Sequence, residues 1–151
     1  MILNLQLACK HKKNLPIKSD FYRWLKGVVV YSPPEKEMNI RVVDTKEMRS
    51  LHYKFCGKDR ATNVLSFPFE SMPGITFPLL GDIIICRQVV ELESFIQDKS
   101  LFSHWAHITI HGFLHLLGYN HIFENEAEIM QNIEVQSLIK LGYPDPYIVE
   151  R

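Results

Sequence analysis

The chain has 151 residues, of which 46% are apolar and 23% are charged, and it carries equal numbers of basic and acidic side chains. This length and composition indicate one globular domain and exclude a disordered chain, and without a run of about 18 apolar residues they exclude a membrane-spanning helix. Residues 1–75 carry 13 basic and 7 acidic side chains, whereas residues 76–151 carry 4 and 10, so the basic half could bind a polyanion or could be an ordinary solvated surface.

The first elements alternate between strand and helix patterns. Leucines at every second position of residues 3–7 predict a half-buried strand. Apolar residues at helical spacing over residues 21–29 predict a helix, with Ser19 as its N-cap. Alternation returns over residues 38–42 and predicts a second strand.

A second helix and two more strands follow. Residues 44–47 read Asp-Thr-Lys-Glu, which resembles a capping box at the start of a helix that Gly57 can close. Residues 64–67 predict a short strand, and residues 81–86 predict a fully buried one. Between them, residues 71–78 contain two prolines and a glycine and predict a loop.

The last third of the chain predicts three helices, at about residues 87–98, 101–117 and 124–141, with Gly118 and Gly142 at the ends of the last two. The order is therefore strand, helix, strand, helix, two strands and three helices. We expect one α+β domain over residues 1–151, with a small mixed sheet of about four strands packed with about five helices.

The three cysteines and the N-terminus both bear on the compartment. Cys9, Cys56 and Cys86 are odd in number and lack Cys-x-x-Cys spacing, which fits a reducing compartment and argues against a disulfide framework or a thiolate zinc site. The N-terminal residues lack the basic start of a signal peptide. We therefore expect a cytoplasmic protein.

A cluster of histidines carries the strongest functional signal. His111 and His115 are four residues apart, so they lie one turn apart on one helix face and can reach one metal ion. His107 lies eight residues before His115, about 12 Å along the helix axis, which is too far for the same ion. Gly118 allows the chain to reverse, and the reversal can bring His121 back as the third ligand.

Three protein ligands leave the fourth position of a tetrahedral zinc open for water, which is the catalytic arrangement. The sequence therefore predicts a metal-dependent hydrolase with one zinc ion per chain. The spacing also matches the His-Glu-x-x-His pattern of metzincin proteases, but Gly112 occupies the position of their glutamate base. A protease is thus the weaker interpretation. His104 is interpreted as a packed residue, and His107 either as a packed residue, which is favoured, or as a residue that supports a metal ligand.

Three segments resemble the YbeY family of bacterial endoribonucleases. Residues 111–121 read HGFLHLLGYNH, against the family pattern HGxLHLxGYDH. Residues 59–68 read DRATNVLSFP, similar to D-x-x-T-[DN]-V-L-S-F-P, and residues 79–83 read LLGDI, similar to L-G-D-[IL]. The ending Leu-Gly-Tyr at residues 141–143 also fits.

The resemblance implies a zinc-dependent, single-strand-specific endoribonuclease that acts in maturation of 16S ribosomal RNA. His111, His115 and His121 would be both metal ligands and catalytic residues, and the partners would be ribosomal RNA and the small ribosomal subunit. Asp82, at the start of an apolar strand, could line the cleft as a catalytic residue or could simply cap the strand. Ser66 is more simply structural than nucleophilic, because no base is near it in sequence.

Two departures from the family pattern bear on activity. The family has an arginine where this chain has Cys56, and that arginine is thought to contact substrate phosphate. Its absence raises the alternative of a non-catalytic, metal-stabilised factor that binds RNA or the ribosome. Asn120 replaces the usual aspartate beside the third histidine, so we expect a weaker hold on the metal.

Overall fold

The structure is a computed structural model that describes residues 1–31, 36–70, 73–74 and 78–148. In chain order its elements are β1 (Ile2–Leu7), α1 (Lys18–Lys26), β2 (Glu37–Val43), α2 (Thr45–Cys56), β3 (Val64–Pro68), β4 (Leu79–Cys86), α3 (Arg87–Ile96), α4 (Leu101–Leu116) and α5 (Glu124–Lys140). Within these residues the strands form one mixed sheet in the order β1-β2-β4-β3, with β3 antiparallel to β4 and the other pairs parallel. The predicted α+β class is confirmed.

One face of the sheet packs against α1 and α4 and forms the main core. Ile40 of β2 and Ile83 of β4 point to this face and are fully buried. The rings of Phe21 and Trp24 in α1 and of Trp105 in α4 meet edge to face, with centroids 5.4 and 6.2 Å from Phe21. Helix α4 is apolar around most of its circumference because it lies between the sheet and the other helices.

The opposite face of the sheet is only partly covered. Met48 of α2 packs there with Val43 and Ile84. Further along the strands the same face is polar, and the amide of Asn39 donates to the carboxylate of Asp82 at 2.8 Å. The two faces therefore offer different chemistry, and only the core face carries α4.

The start of α1 differs from its prediction. The helix begins at Lys18, so Ile17 and not Ser19 is the N-cap residue. The carboxylate of Asp20 accepts a hydrogen bond from the backbone N–H of Ile17 at 2.9 Å. This bond satisfies the N-cap from inside the first turn and allows the helix to begin two residues earlier.

The predicted capping box of α2 is half wrong. Asp44 is the N-cap residue, but its side chain makes no cap hydrogen bond. Its carboxylate instead accepts from the backbone N–H of Lys10 at 2.8 Å and from Nε2 of Gln88 at 2.6 Å, while Glu47 pairs with Arg41 at 2.7 Å. The carboxyl ends of three parallel strands meet here, and their tertiary partners replace the local cap.

Helix α1 ends at Lys26, three residues before its predicted end, and helix α3 ends at Ile96, two residues before its predicted end. The other boundaries lie within two residues of the predictions. Most of the loop predicted at residues 71–78 lies outside the described residues. Among the residues that are described, no helix combines the length and the apolar character that a membrane crossing requires. Cys9, Cys56 and Cys86 are all free thiols.

Candidate metal centre

The three predicted histidine ligands come together at the C-terminal end of α4. His111 and His115 lie on one face of the helix with their Nε2 atoms 3.2 Å apart. His121 approaches from the chain that follows the helix, and one ring nitrogen of each histidine lies within 4.8 Å of the others. The structure therefore brings these three side chains into one cluster that could hold a metal ion.

A glycine turn explains how His121 returns to the helix. The backbone φ of Gly118 is +98°, a conformation that favours glycine. The backbone N–H of Tyr119 donates to the carbonyl of Leu114 at 3.0 Å, and that of Gly118 donates to the carbonyl of His115 at 3.1 Å. These two bonds form a Schellman ending, which reverses the chain and satisfies the last helical carbonyls.

The same turn fixes the tautomer of His115. Its Nδ1 lies 3.0 Å from the backbone carbonyl oxygen of Tyr119. Because a carbonyl oxygen only accepts, Nδ1 carries the proton and Nε2 keeps its lone pair. The turn thus leaves Nε2 of His115 free to bind a cation.

A buried carboxylate from α5 does the same for His111. The side chain of Glu134 is 1% exposed. Its Oε1 accepts from Nδ1 of His111 at 2.6 Å, and its Oε2 accepts from Nε2 of His107 at 2.8 Å and from the hydroxyl of Tyr147. A carboxylate behind a metal-binding histidine orients the ring and increases its basicity.

The protonation states suit a metal ion. Burial alone would raise the pKa of Glu134, but hydrogen bonds from His107 and His111 outweigh it and hold that pKa at about 2. Burial has the largest effect on the pKa of His115 and lowers it. The neighbouring His111 and His121 lower it further. The carboxylate is therefore charged and His115 is neutral, as metal coordination requires.

The distance between two ring nitrogens also tests whether these residues fit a metal ion. Nδ1 of each ring is held by another partner, and the Nε2 atoms of His111 and His115 face each other across 3.2 Å. Two nitrogens bound to one tetrahedral ion at 2.0–2.1 Å are separated by about 3.3 Å. The observed separation of 3.2 Å is close to this value, so the residues fit a metal held by imidazole nitrogens.

Helix α4 lies directly on the sheet at Gly112. A Cβ atom there would come within 2.9 Å of Cγ2 of Val64 and 3.1 Å of Cγ2 of Ile83. The hydroxyl of Ser66 donates to the carbonyl of Gly112 at 2.8 Å, which confirms a structural role for that serine. Position 112 therefore faces the sheet and has no room for the glutamate of a metzincin protease.

Asp82 lies on the other face of the sheet. It pairs with Phe67 in the β3–β4 register, whereas Ile83 and Ser66 point to the face that carries α4. Its carboxylate accepts from Asn39 at 2.8 Å. The structure thus does not bring Asp82 together with the histidines, since neighbouring strand residues point to opposite faces.

His104 and His107 have different surroundings. His104 is buried with its Nε2 3.0 Å from Oε1 of Glu93, which also accepts from the amide of Asn63 at 3.2 Å. The interpretation of His104 as a packed residue is confirmed. His107 shares Glu134 with His111, which favours its other interpretation, a residue that supports a metal ligand. A cavity of about 940 Å³ runs along this side of α4.

Glu134 is the site residue that the sequence reasoning missed, although a signal was present. It lies in the buried stripe of α5, four residues after Met130 and four before Leu138, next to Ile133. A carboxylate in an apolar stripe needs a buried partner. The histidines of α4 are candidates for that partner, although the sequence does not specify which of them Glu134 contacts.

The two departures from the family pattern also have defined positions. Cys56 is exposed and is the last residue of α2. Arg87 is held by Glu91 at 2.8 Å and by two backbone carbonyls in the loop after β1, so it is not free to take the place of the missing arginine. The side-chain oxygen of Asn120 is buried and has no hydrogen-bond partner among the described residues.

The fold and the cluster define an α+β domain whose central helix presents a three-histidine, metal-competent site. A family model described as endoribonuclease YbeY matches residues 6–142. The chain belongs to the YbeY endoribonuclease family, and this membership assigns it to the nucleases of ribosomal RNA maturation. RNA and the ribosome are therefore involved in its role.

A solved structure agrees on the fold. The chain is similar to TM1509 from Thermotoga maritima, whose solution structure it matches with a TM-score of 0.59 at 23% sequence identity. The match covers 93% of this chain and 92% of the other.

Proposed function

We propose that this protein is a zinc-dependent, single-strand-specific endoribonuclease that acts in maturation of 16S ribosomal RNA. His111, His115 and His121 would hold one zinc ion per chain and form the catalytic centre. The observation that carries the proposal is the cluster of three histidines, with the Nε2 atoms of His111 and His115 3.2 Å apart, in a chain of an endoribonuclease family.

The choice of zinc rests on the donor set. Three imidazole nitrogens with one remaining position are typical of catalytic zinc, whereas magnesium and calcium prefer oxygen ligands. When bound, the zinc ion would lower the pKa of a water molecule and polarise a phosphodiester oxygen.

The protein residues would prepare this centre. Glu134 holds Nδ1 of His111, and the carbonyl of Tyr119 holds Nδ1 of His115, so both rings keep their orientation before the metal binds. Gly112 supplies no base, which favours phosphodiester over peptide hydrolysis. Asp82 is assigned to the polar face of the sheet and not to the reaction.

Substrate binding is proposed for the basic surface around the end of α2. Lys54, Lys58 and Arg60 are exposed there, and the same segment leads to Asn63 on the wall of the cavity that also touches His111. Contacts between these side chains and phosphates should weaken steeply as salt concentration rises. The partner would be the small ribosomal subunit, which places the activity in the cytoplasm.

Cleavage of a precursor small-subunit ribosomal RNA by the zinc-loaded protein tests the proposal. A chelated sample and a folded His115→Ala variant serve as controls. Cleavage that both controls abolish supports the proposed function. Equal cleavage by the metal-free protein would contradict it, and cleavage of casein would point to a protease instead.

Cys56 favours one second candidate, a non-catalytic ribosome-binding factor. The exposed thiol stands where the family has a phosphate-binding arginine, and a thiol cannot make bidentate contacts. Ribosome association without RNA turnover would select this alternative. In that case Cys56→Arg should restore cleavage, and a Cys56→Lys variant would show whether charge alone is sufficient.

A further inference from the structure

The chain beyond α5 returns to α4 beside His107 and Glu134. Pro146 is buried, and its carbonyl accepts a hydrogen bond from Nζ of Lys99, which lies between α3 and α4. The next residue, Tyr147, packs its ring edge to face on His107 with centroids 5.4 Å apart. Its hydroxyl donates to Glu134. The C-terminal segment is thus anchored at the residue before Tyr147 and at the Tyr147 ring itself.

The two oxygens of Glu134 have separate tasks. Oε1 accepts from His111, while Oε2 accepts from both His107 and Tyr147. The terminal torsion of a glutamate side chain has only a broad, shallow preference, so its hydrogen-bond donors must set the orientation of the carboxylate. Because the carboxylate is planar, whatever holds Oε2 also holds Oε1 against the ring of His111.

We propose that Tyr147 is a positioning residue for the histidine metal centre. By donating to Oε2 of Glu134, it keeps Oε1 on Nδ1 of His111 and directs Nε2 of that ring toward the metal. Burial and the neighbouring Glu134 raise the pKa of Tyr147, so the hydroxyl keeps its proton and remains a donor. The inference rests on the proposed metal function of the three histidines.

Tyr147→Phe tests it because the ring is kept and only the hydroxyl is removed. We expect the variant to bind zinc roughly tenfold more weakly in competition with a chromophoric chelator, at the low end of the range for partners that orient a metal-binding histidine. The visible spectrum of the cobalt-substituted protein should also change, since the orientation of one ligand is altered. Neither readout depends on RNA cleavage.

Tyr143→Phe is the matched control from the same segment. The Tyr143 hydroxyl accepts from Arg23 at 2.9 Å and from Trp24 at 3.1 Å, with no hydrogen bond to Glu134. Its removal should lower the thermal unfolding midpoint but leave zinc affinity and the cobalt spectrum unchanged. An equal loss of zinc affinity in both variants would overturn the inference, because it would trace the effect to general stability.

A double-mutant cycle tests whether Tyr147 acts through Glu134. In a Glu134→Gln background, Tyr147→Phe should reduce zinc affinity less than twofold, because residues in one network are not additive. A full tenfold loss in that background would overturn the inference, as would unchanged zinc affinity and an unchanged cobalt spectrum in the single variant. Wild-type protein that binds no zinc would overturn the proposed function as well, which separates the two failures.

Discussion

Helices α4 and α5 end in the same three residues, Leu-Gly-Tyr, and in the same backbone conformation. The φ angle is +98° at Gly118 and +94° at Gly142. In each case the N–H of the tyrosine donates to a carbonyl five residues earlier, at 3.0 Å for Tyr119 and 2.9 Å for Tyr143. The two endings are therefore the same chain-reversing device.

Only the first ending belongs to the candidate metal centre, and the difference lies in the side chains. Four residues before the tyrosine, α4 has His115 where α5 has Ile139. His115 donates to the carbonyl of Tyr119, whereas Tyr143 uses its hydroxyl to accept from Trp24 in the core. The comparison teaches that the turn supplies a position for a returning ligand, and that the histidine makes the position functional.

The largest expected effect comes from replacing the residue that distinguishes the two endings. His115→Ala should weaken zinc binding by at least roughly 100-fold, beyond the range for partners that only orient a ligand, because one of three ligands is lost. Ile139→Ala, at the equivalent position of α5, should bind zinc as the wild type does. Equilibrium zinc titration measures both, and tight binding by His115→Ala would contradict the assignment of the ligands.

The next effect separates stability from metal binding. Alanine at Gly118 or at Gly142 should each lower the free energy of unfolding by about 1–2 kcal/mol, because both glycines have positive φ. Only Gly118→Ala should also weaken zinc binding, since it moves the carbonyl that orients His115. Urea unfolding of the metal-free variants, followed by zinc titration, distinguishes the two; matched zinc affinities would show that the first turn has no role in the centre.

The smallest expected effect concerns Asn120, the residue that follows Tyr119 in the first ending. Asn120→Asp should strengthen zinc binding about fivefold, because a charge interaction of about 1 kcal/mol is added next to a ligand. Asn125→Asp adds the same charge to the exposed first turn of α5 and serves as the control. If the zinc affinity of both variants increases equally, the increase reflects net charge and not the position of Asn120.

Much of the fold and the ligand set could be predicted because their signals are local. Alternation and helical spacing identified the strands and helices, and the spacing of His111, His115 and His121 around a glycine identified the cluster. These patterns depend only on residues near each other in the chain. The burial of Glu134 behind His111 depends on how α5 packs on α4, 23 residues away, and no local pattern specifies that contact.

Two acidic side chains, Asp44 and Asp82, show the same limit of prediction from local sequence. Asp44 has the identity and position of a cap, yet its carboxylate accepts from Lys10 in the loop after β1 and from Gln88 in α3. Asp82 lies in an apolar strand as predicted, although it is the fourth residue of β4 and not the first, and the face to which it points is decided by the register of the sheet. In both cases tertiary partners determined the role of an acidic side chain, and the sequence could identify only the candidate.

The contact between Gly112 and the sheet has a consequence for the evolution of this scaffold. A single base change can convert a glycine codon into a glutamate codon, and here that change would write the His-Glu-x-x-His signature of a zinc peptidase. Any side chain at this position would collide with Val64 and Ile83 before it could serve a new reaction. A change from nuclease to peptidase is therefore opposed by steric conflict with the sheet beneath α4, and not by the number of mutations that it requires.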